Sequence, residues 1–293
     1  MLGREILFLE PPPATARIAY GSGPQHFGDL RLPANAPNRV PLVILIHGGF
    51  WRNQVGLDHM GHMGAALAKE GVASWSIEYR RLGDDGGGYP GTFDDVHAAC
   101  AHVPPLAATY PINLERVITC GFSAGGQLAL WIAAEQPLPL RAAISLAGVA
   151  DLARAHELQL GNNVVHDLLD GSPAQHPARY AQYSPIERLP IPTRQYLLHG
   201  DADDICPLEL SERYLARAQA THSSARLSGL AGATHFDLID PASKYWPRVK
   251  AVVFAGWGEM LGRLFGHNAV HDTIQYLSRC LIDPVILCAR AKS

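Results

Sequence analysis

From Val40 onward, short apolar runs alternate with stretches of helical spacing, and this alternation constrains the fold more than any other feature of the chain. Residues 40–47 (VPLVILIH) are apolar almost throughout, the pattern of a strand covered on both faces. Residues 57–70 follow, with Leu57, Met60, Met63, Ala66 and Leu67 at helical spacing and Gly71 as the stop. Residues 72–79 read as the next strand, and residues 83–91 as a loop. Thr92 is expected to cap a helix over 93–103, which Pro104 and Pro105 break or kink. Further strands are expected at 116–120, 142–146, 195–199 and 225–230. Helices are expected at 124–136, 208–220 and 241–265. Repeated βα units of this kind build an α/β fold, a mostly parallel central sheet with helices on both faces. Residues 17–20 and 27–32, ahead of these units, look like an antiparallel pair.

Two segments escape the period. Between residues 148 and 192 the alternation breaks down, and this stretch is expected to be a short insertion, a cap or lid over the sheet. Residues 1–265 would then form one domain. Residues 266–293 would form a C-terminal extension: a packed appendage, a homodimer contact or a poorly ordered tail.

Composition removes several classes of function. Hydrophobic residues are 47% and charged residues 17% of the 293, which excludes disorder as the main state. The formal charge of -3 with no basic run argues against a nucleic-acid partner. No apolar stretch reaches the ~18 residues of a membrane span, and the opening MLGREILFLE is too short in apolar length for a signal peptide. The expected location is the cytoplasm. Five cysteines, an odd number with no C-x-x-C pair, argue against a disulfide framework and a zinc ribbon. His59 and His62 lack an evident third ligand, so no metal is expected, and both read as solvated or loop-contacting.

The chemistry concentrates on three turns. Gly121-Phe122-Ser123-Ala124-Gly125 lies between a strand and a helix, the setting of a G-x-S-x-G nucleophile elbow. A lone match would be a Gly-rich turn with an incidental serine; the strand before, the helix after and the partners elsewhere favour the nucleophile. His47-Gly48-Gly49-Phe50-Trp51 follows the strand VPLVILI, where backbone N–H groups of Gly49 and Phe50, with that of Ala124, are candidates for an oxyanion hole. His47 is expected to prop that loop by hydrogen bonding. Trp51 and Phe122 are candidates for lining the substrate pocket, with the core an equal home for Trp51. His199-Gly200-Asp201-Ala202-Asp203-Asp204 and Gly232-Ala233-Thr234-His235 follow the last two strands, on the site face of an open parallel sheet. The order Ser123, acid, His235 is the order of α/β-hydrolases rather than of chymotrypsin or subtilisin. His222, in the polar segment THSS, reads as a surface residue.

On these motifs the chain resembles the α/β-hydrolase superfamily over about residues 15–265. HGGFW is similar to the HGGxW motif of kynurenine formamidases and the HGGG motif of hormone-sensitive-lipase-like esterases. WSIEYR, YPGTFDDV, GFSAGGQLALW and HGDADDICP look more like bacterial esterases and acylaminoacyl-peptidase-like hydrolases. With 39 residues ahead of the first βα unit, the propeller domain of prolyl-oligopeptidase relatives is not expected. Asp203 stands three residues after Gly200 and four before Pro207, the offset of the triad acid in this fold, which ranks it above Asp204 and Asp201. The resemblance implies a serine hydrolase without cofactor that acts on a small-molecule ester or amide. Carboxylic ester hydrolysis is the leading expectation and cleavage of N-formylkynurenine-like amides the second. A hydrolase-like binding protein without chemistry is a remote third, since every triad position is filled.

Overall fold

In the computed structural model of the chain, which describes residues 3–34, 36 and 39–258, each expected strand lies in one sheet. The strands are β1 (Ala16–Ala19), β2 (Phe27–Arg31), β3 (Val40–Ile46), β4 (Ala73–Ile77), β5 (Ile112–Phe122), β6 (Ala142–Leu146), β7 (Arg194–Gly200) and β8 (Ala225–Leu230). Their spatial order is β1-β2-β4-β3-β5-β6-β7-β8. β2 pairs antiparallel with both β1 and β4, and every other neighbouring pair is parallel. The helices are α1 (Met60–Lys69), α2 (Gly91–Ala101), α3 (Val103–Thr109), α4 (Ala124–Glu135), α5 (Leu152–Glu157), α6 (Leu160–Leu169), α7 (Pro177–Tyr183), α8 (Glu209–Ala220) and α9 (Trp246–Gly256).

The core explains why β3 reads as an unbroken apolar run. Leu42, Val43, Ile44, Leu45 and Ile46 are all buried, so side chains of both parities meet a covered face. Burial of each such side chain stabilises the fold by ~2 kcal/mol. β3 lies between β4 and β5, and the parallel register sets Ile46 beside Ile77 on one side and Gly121 on the other. The loops that leave the C-terminal ends of β3 and β5 are therefore brought together.

Several boundaries differ from expectation for identifiable reasons. Thr92 does not cap α2; its hydroxyl donates to the Arg80 carbonyl and accepts from the Gly88 N–H, and the helix begins at Gly91, two residues earlier than expected. Pro104 and Pro105 do not simply break a helix. They sit in the first turn of α3, where the missing N–H groups would lack intrahelical partners anyway. β5 extends beyond 116–120 because Val40 pairs with Ile112 ahead of a register shift, while Glu115 and Arg116 mask the strand in the sequence. α9 starts at Trp246 rather than 241, since Asp240 and Ser243 side chains take the N–H groups of Ala242 and Tyr245 in a preceding turn. The remainder of the expected 241–265 helix past 258, and the 266–293 extension, lie outside the described residues.

The stretch between 148 and 192 folds as α5, α6 and α7. Val149, Leu152, Ala155, Val164, Val165, Leu168 and Tyr183 join the same apolar cluster as Leu42, Ile44 and Trp131. Within it the backbone of Gln159, Gly161, Asn162 and Asn163 is left-handed, with φ of 51°, 57°, 59° and 58°. Each non-glycine residue in that region costs roughly 1–2 kcal/mol, which packing must outweigh. No helix among the described residues is long and apolar enough to cross a membrane.

Candidate active site

Ser123 stands between β5 and α4 with φ 55° and ψ −120°, a conformation side-chain-bearing residues rarely adopt. The turn is held by close backbone approach. A Cβ at Gly121 would lie 1.9 Å from the Gly125 carbonyl oxygen, and one at Gly125 2.1 Å from that of Ile46, so only glycine fits either place. The Ser123 N–H donates to the Leu146 carbonyl at 2.8 Å, and its own carbonyl accepts from Gly126 N–H at 2.9 Å. Ser123 thus begins α4, whose N-terminal N–H groups and dipole favour negative charge.

The loop after β3 packs directly on this elbow. A Cβ at Gly48 would lie 2.8 Å from the Phe122 carbonyl oxygen and 2.9 Å from the Ser123 Cβ. Gly49, Phe50 and Trp51 then follow one another at φ 117°, 54° and 53°. Three consecutive residues at positive φ, two of them with bulky side chains, mark a loop whose shape is imposed by its surroundings. The Gly49 carbonyl accepts from Arg52 N–H at 3.0 Å, and the Trp51 carbonyl from Leu82 N–H at 2.7 Å. The backbone N–H groups of Gly49 and Phe50 meet no backbone acceptor among the described residues.

Trp51 does not line a pocket. Its side chain has no exposed surface, and its Nε1–H donates to Gln127 Oε1 at 3.1 Å, while Gln127 Nε2 donates to the Tyr183 carbonyl at 2.9 Å. Phe50 is half-buried, and its ring lies against Gly161 of the left-handed turn. His47 props the loop as expected: Nδ1 lies 2.7 Å from the Gly48 carbonyl oxygen and Nε2 2.8 Å from Glu78 Oε1. The Tyr79 hydroxyl adds a bond to the His47 carbonyl at 2.8 Å. Glu78 and Gln127 were invisible as partners in sequence; the only signal for Glu78 was an acidic residue at the end of an apolar strand.

At the far end of the sheet, His235 Nδ1 lies 2.6 Å from Asp203 Oδ2. The other Asp203 oxygen accepts from the N–H groups of Ile205 and Cys206 at 2.9 and 2.8 Å. Burial alone would raise the Asp203 pKa. Hydrogen bonds from the neighbouring His199 and His235, with the Cys206 N–H, outweigh it and hold this carboxyl well below the usual range. An ionised Asp203 can only accept, so the hydrogen sits on His235 Nδ1, and Nε2 presents a lone pair. Asp201 and Asp204 are exposed; Asp201 accepts from Gly232 N–H at 2.6 Å, bracing the histidine loop rather than its own turn. His222 is exposed, as expected.

Phe122 links the two halves. Its ring centroid is 4.6 Å from that of His235, and Phe236 flanks both rings. Ser123 and His235 are each 3% exposed. His199 was missed as a site residue: it is fully buried, its Nε2 donating to the Cys206 carbonyl at 2.8 Å and lying 3.5 Å from Asp203 Oδ2. Its Nδ1 accepts from the Ser211 hydroxyl at 2.8 Å. Of the two readings of His59, solvated or loop-contacting, the first is corrected: the ring is 1% exposed and packs edge-on to His47 and Phe122, because the turn over Leu57–His59 faces inward.

The model of the BD-FAE family matches residues 29–217. Among curated proteins, the isoprenylcysteine alpha-carbonyl methylesterase of Arabidopsis thaliana is 24% identical over 249 residues, 76% of this chain and 56% of that protein. The chain therefore spans little more than half the length of that relative. Among solved structures, a truncated carbohydrate esterase from gut microbiota matches with a TM-score of 0.71 at 21% identity, covering 86% of this chain and all of that one. Esterase B from Lactobacillus Rhamnosis matches with a TM-score of 0.75 at 17% identity, over 94% of this chain and 93% of that one. The fold is that of the α/β-hydrolases.

Proposed function

The chain belongs to the BD-FAE family, and on that premise we propose that it hydrolyses carboxylic esters through Ser123, His235 and Asp203. The observation that carries this reading is the buried 2.6 Å contact between Asp203 and His235 Nδ1, which leaves Nε2 as the free base. His235 Nε2 takes the Ser123 Oγ proton as that oxygen bonds to the ester carbonyl carbon. The carbonyl electrons move to oxygen, where the N–H groups of Gly49, Phe50 and Ala124 receive the charge. Each donor of this kind is worth roughly 3 kcal/mol in the barrier. Asp203 stabilises the imidazolium and fixes its tautomer. The proton passes to the leaving alkoxide as the C–O bond breaks, and the alcohol departs. Water, deprotonated by the same nitrogen, then attacks the acyl carbon; the bond to Ser123 Oγ breaks, the proton passes from His235 to that oxygen, and the acid leaves.

The half-buried Phe50 and Phe236 offer a small apolar substrate group a seat, with the buried Phe122 ring packed against Phe236 and His235. The HGGFW loop favours amide cleavage, of the arylformamide type, as the second reading. Short p-nitrophenyl esters test the first. Turnover is expected to fall at least about a thousandfold in Ser123→Ala, and a fluorophosphonate should label Ser123. A folded protein that neither turns over such esters nor accepts the label overturns the proposal. Faster hydrolysis of an aryl formamide than of the matched ester transfers it to the second reading.

A further inference from the structure

Ester hydrolysis by Ser123, His235 and Asp203 gives no role to one cluster of buried ionisable groups. These are His47, His59, Glu78 and Tyr79, beneath the loop that carries Gly49 and Phe50. We infer that His47 is a doubly protonated imidazolium paired with the Glu78 carboxylate, and that it positions and polarises the peptide between Gly48 and Gly49 toward the developing oxyanion. The catalytic half of this inference rests on the ester-hydrolase reading; the protonation half stands on geometry alone.

Both ring nitrogens of His47 face acceptors, the Gly48 carbonyl at 2.7 Å and Glu78 Oε1 at 2.8 Å. A carbonyl oxygen has no hydrogen to give. Burial alone would raise the Glu78 pKa; the paired His47 first, then the Arg81 guanidinium at 3.2 Å and the Tyr79 N–H at 3.0 Å, outweigh it and lower it, while the Leu57 N–H donates to the other oxygen at 3.2 Å. A neutral His47 would set a lone pair against a lone pair at one of the two contacts, in a site with 0% exposure. Each nitrogen therefore carries a hydrogen.

The surroundings suit one cation at this ring. Tyr79 stacks on its face at a centroid distance of 4.3 Å and an angle of 13°. His59 meets it edge-on at 5.9 Å. Burial, then the charge of His47, pushes the His59 pKa down to about 3, so that ring is neutral. Arg81 is shared with Asp84 at 3.2 Å. The Tyr20 hydroxyl donates to the Glu78 carbonyl at 2.7 Å. His235 lies beyond Phe122, whose ring contacts His59 and His235 alike.

The consequence for the loop follows from peptide geometry. The C=O and N–H of a trans peptide point in opposite directions, so a pinned Gly48 carbonyl aims the Gly49 N–H. A charge-assisted bond to that carbonyl also polarises the peptide and strengthens its N–H as a donor. His47 is thus a positioning residue, acting through a backbone amide.

Glu78→Gln separates charge from contact, because a glutamine amide can donate to Nε2 while Nδ1–H keeps the Gly48 carbonyl. The full chain, labelled with ¹⁵N-histidine, is examined by NMR at pH 7, with the His47 ring assigned through its contacts to the Tyr79 ring. Two protonated ring nitrogens are expected in the wild type and one in Glu78→Gln. The kcat for p-nitrophenyl acetate should fall roughly five- to tenfold in the variant with KM unchanged. A wild-type ring with a single protonated nitrogen overturns the inference, whether or not Glu78→Gln folds. A folded Glu78→Gln that carries one ring proton and keeps the wild-type kcat overturns its catalytic half. Activity insensitive to Ser123→Ala overturns the hydrolase reading and leaves the spectrum untouched.

Discussion

Gly161→Ala tests whether the turn at the start of α6 governs the loop proposed to hold the oxyanion. A Cβ at Gly161 would lie 2.8 Å from Phe50 Cδ1 and 2.9 Å from Cε1, where relaxed contact begins near 3.4 Å. The ring must therefore retreat by about 0.6 Å, since dispersion contacts turn steeply repulsive inside that limit. The left-handed backbone at Gly161 adds about 1 kcal/mol of strain for alanine. Phe50 is attached to one of the proposed oxyanion donors, and a misplacement approaching 1 Å can cost about a hundredfold in rate. With part of the displacement taken up by the side chain, about a tenfold loss of kcat on p-nitrophenyl acetate is expected. The double-mutant cycle with Phe50→Ala supplies the decisive measurement. Alanine at position 50 keeps the backbone donor and removes the ring, so Gly161→Ala should then cost little, with a coupling of about 1 kcal/mol. Additive effects, or a Gly161→Ala enzyme of full activity, refute the idea that this contact sets the loop.

Asp203→Asn should lower kcat about ten-thousandfold while the fold persists, because the amide selects the wrong tautomer of His235; steady-state kinetics beside circular dichroism would check it. The depressed pKa of Asp203 means that this carboxylate stays ionised in the native enzyme through the mildly acidic range, so loss of activity there should track an imidazole and not this acid. His59 bears on stability in acid. Its pKa in the fold is about 3 against an ordinary 6.5, so as pH falls from 6.5 toward 3 the unfolded chain gains a proton that the folded one does not. Each unit of that gap is worth about 1.4 kcal/mol, and His59→Phe, which keeps the edge-on packing, should flatten the fall of Tm with acid. An unchanged acid slope would show that the ring is not the source.

Much of this was legible in the chain. VPLVILI announced a covered strand, GFSAGG a tight strand-to-helix turn, and the order of Ser123, Asp203 and His235 the family of folds. These signals are local, set by periodicity or by glycines that only one backbone path requires. The left-handed turn over 159–163 was not legible, because its strain is outweighed by packing against Phe50 that no neighbouring residue reveals. Nor was the burial of His59, since a histidine on a short helical stretch looks the same whether it faces water or sheet. Glu78 and Gln127 became site residues only when elements distant in sequence, the end of β4 and helix α4, set them beside His47 and Trp51. Thr92 misled for a related reason: a hydroxyl ahead of a helix has other carbonyls to choose from once β4 and its loop are in place.

The side chain of Gln127 grips two separate parts of the molecule at once, the indole of Trp51 with its oxygen and the main chain at Tyr183 with its nitrogen. Its two ends are chemically distinct, so reversing the amide would set donor against donor at the indole and acceptor against acceptor at position 183. An engineer who transplanted a foreign segment between β6 and β7 would thus inherit a docking rule: the graft must offer a backbone acceptor at that point, or the disturbance travels along the amide to the buried indole of Trp51.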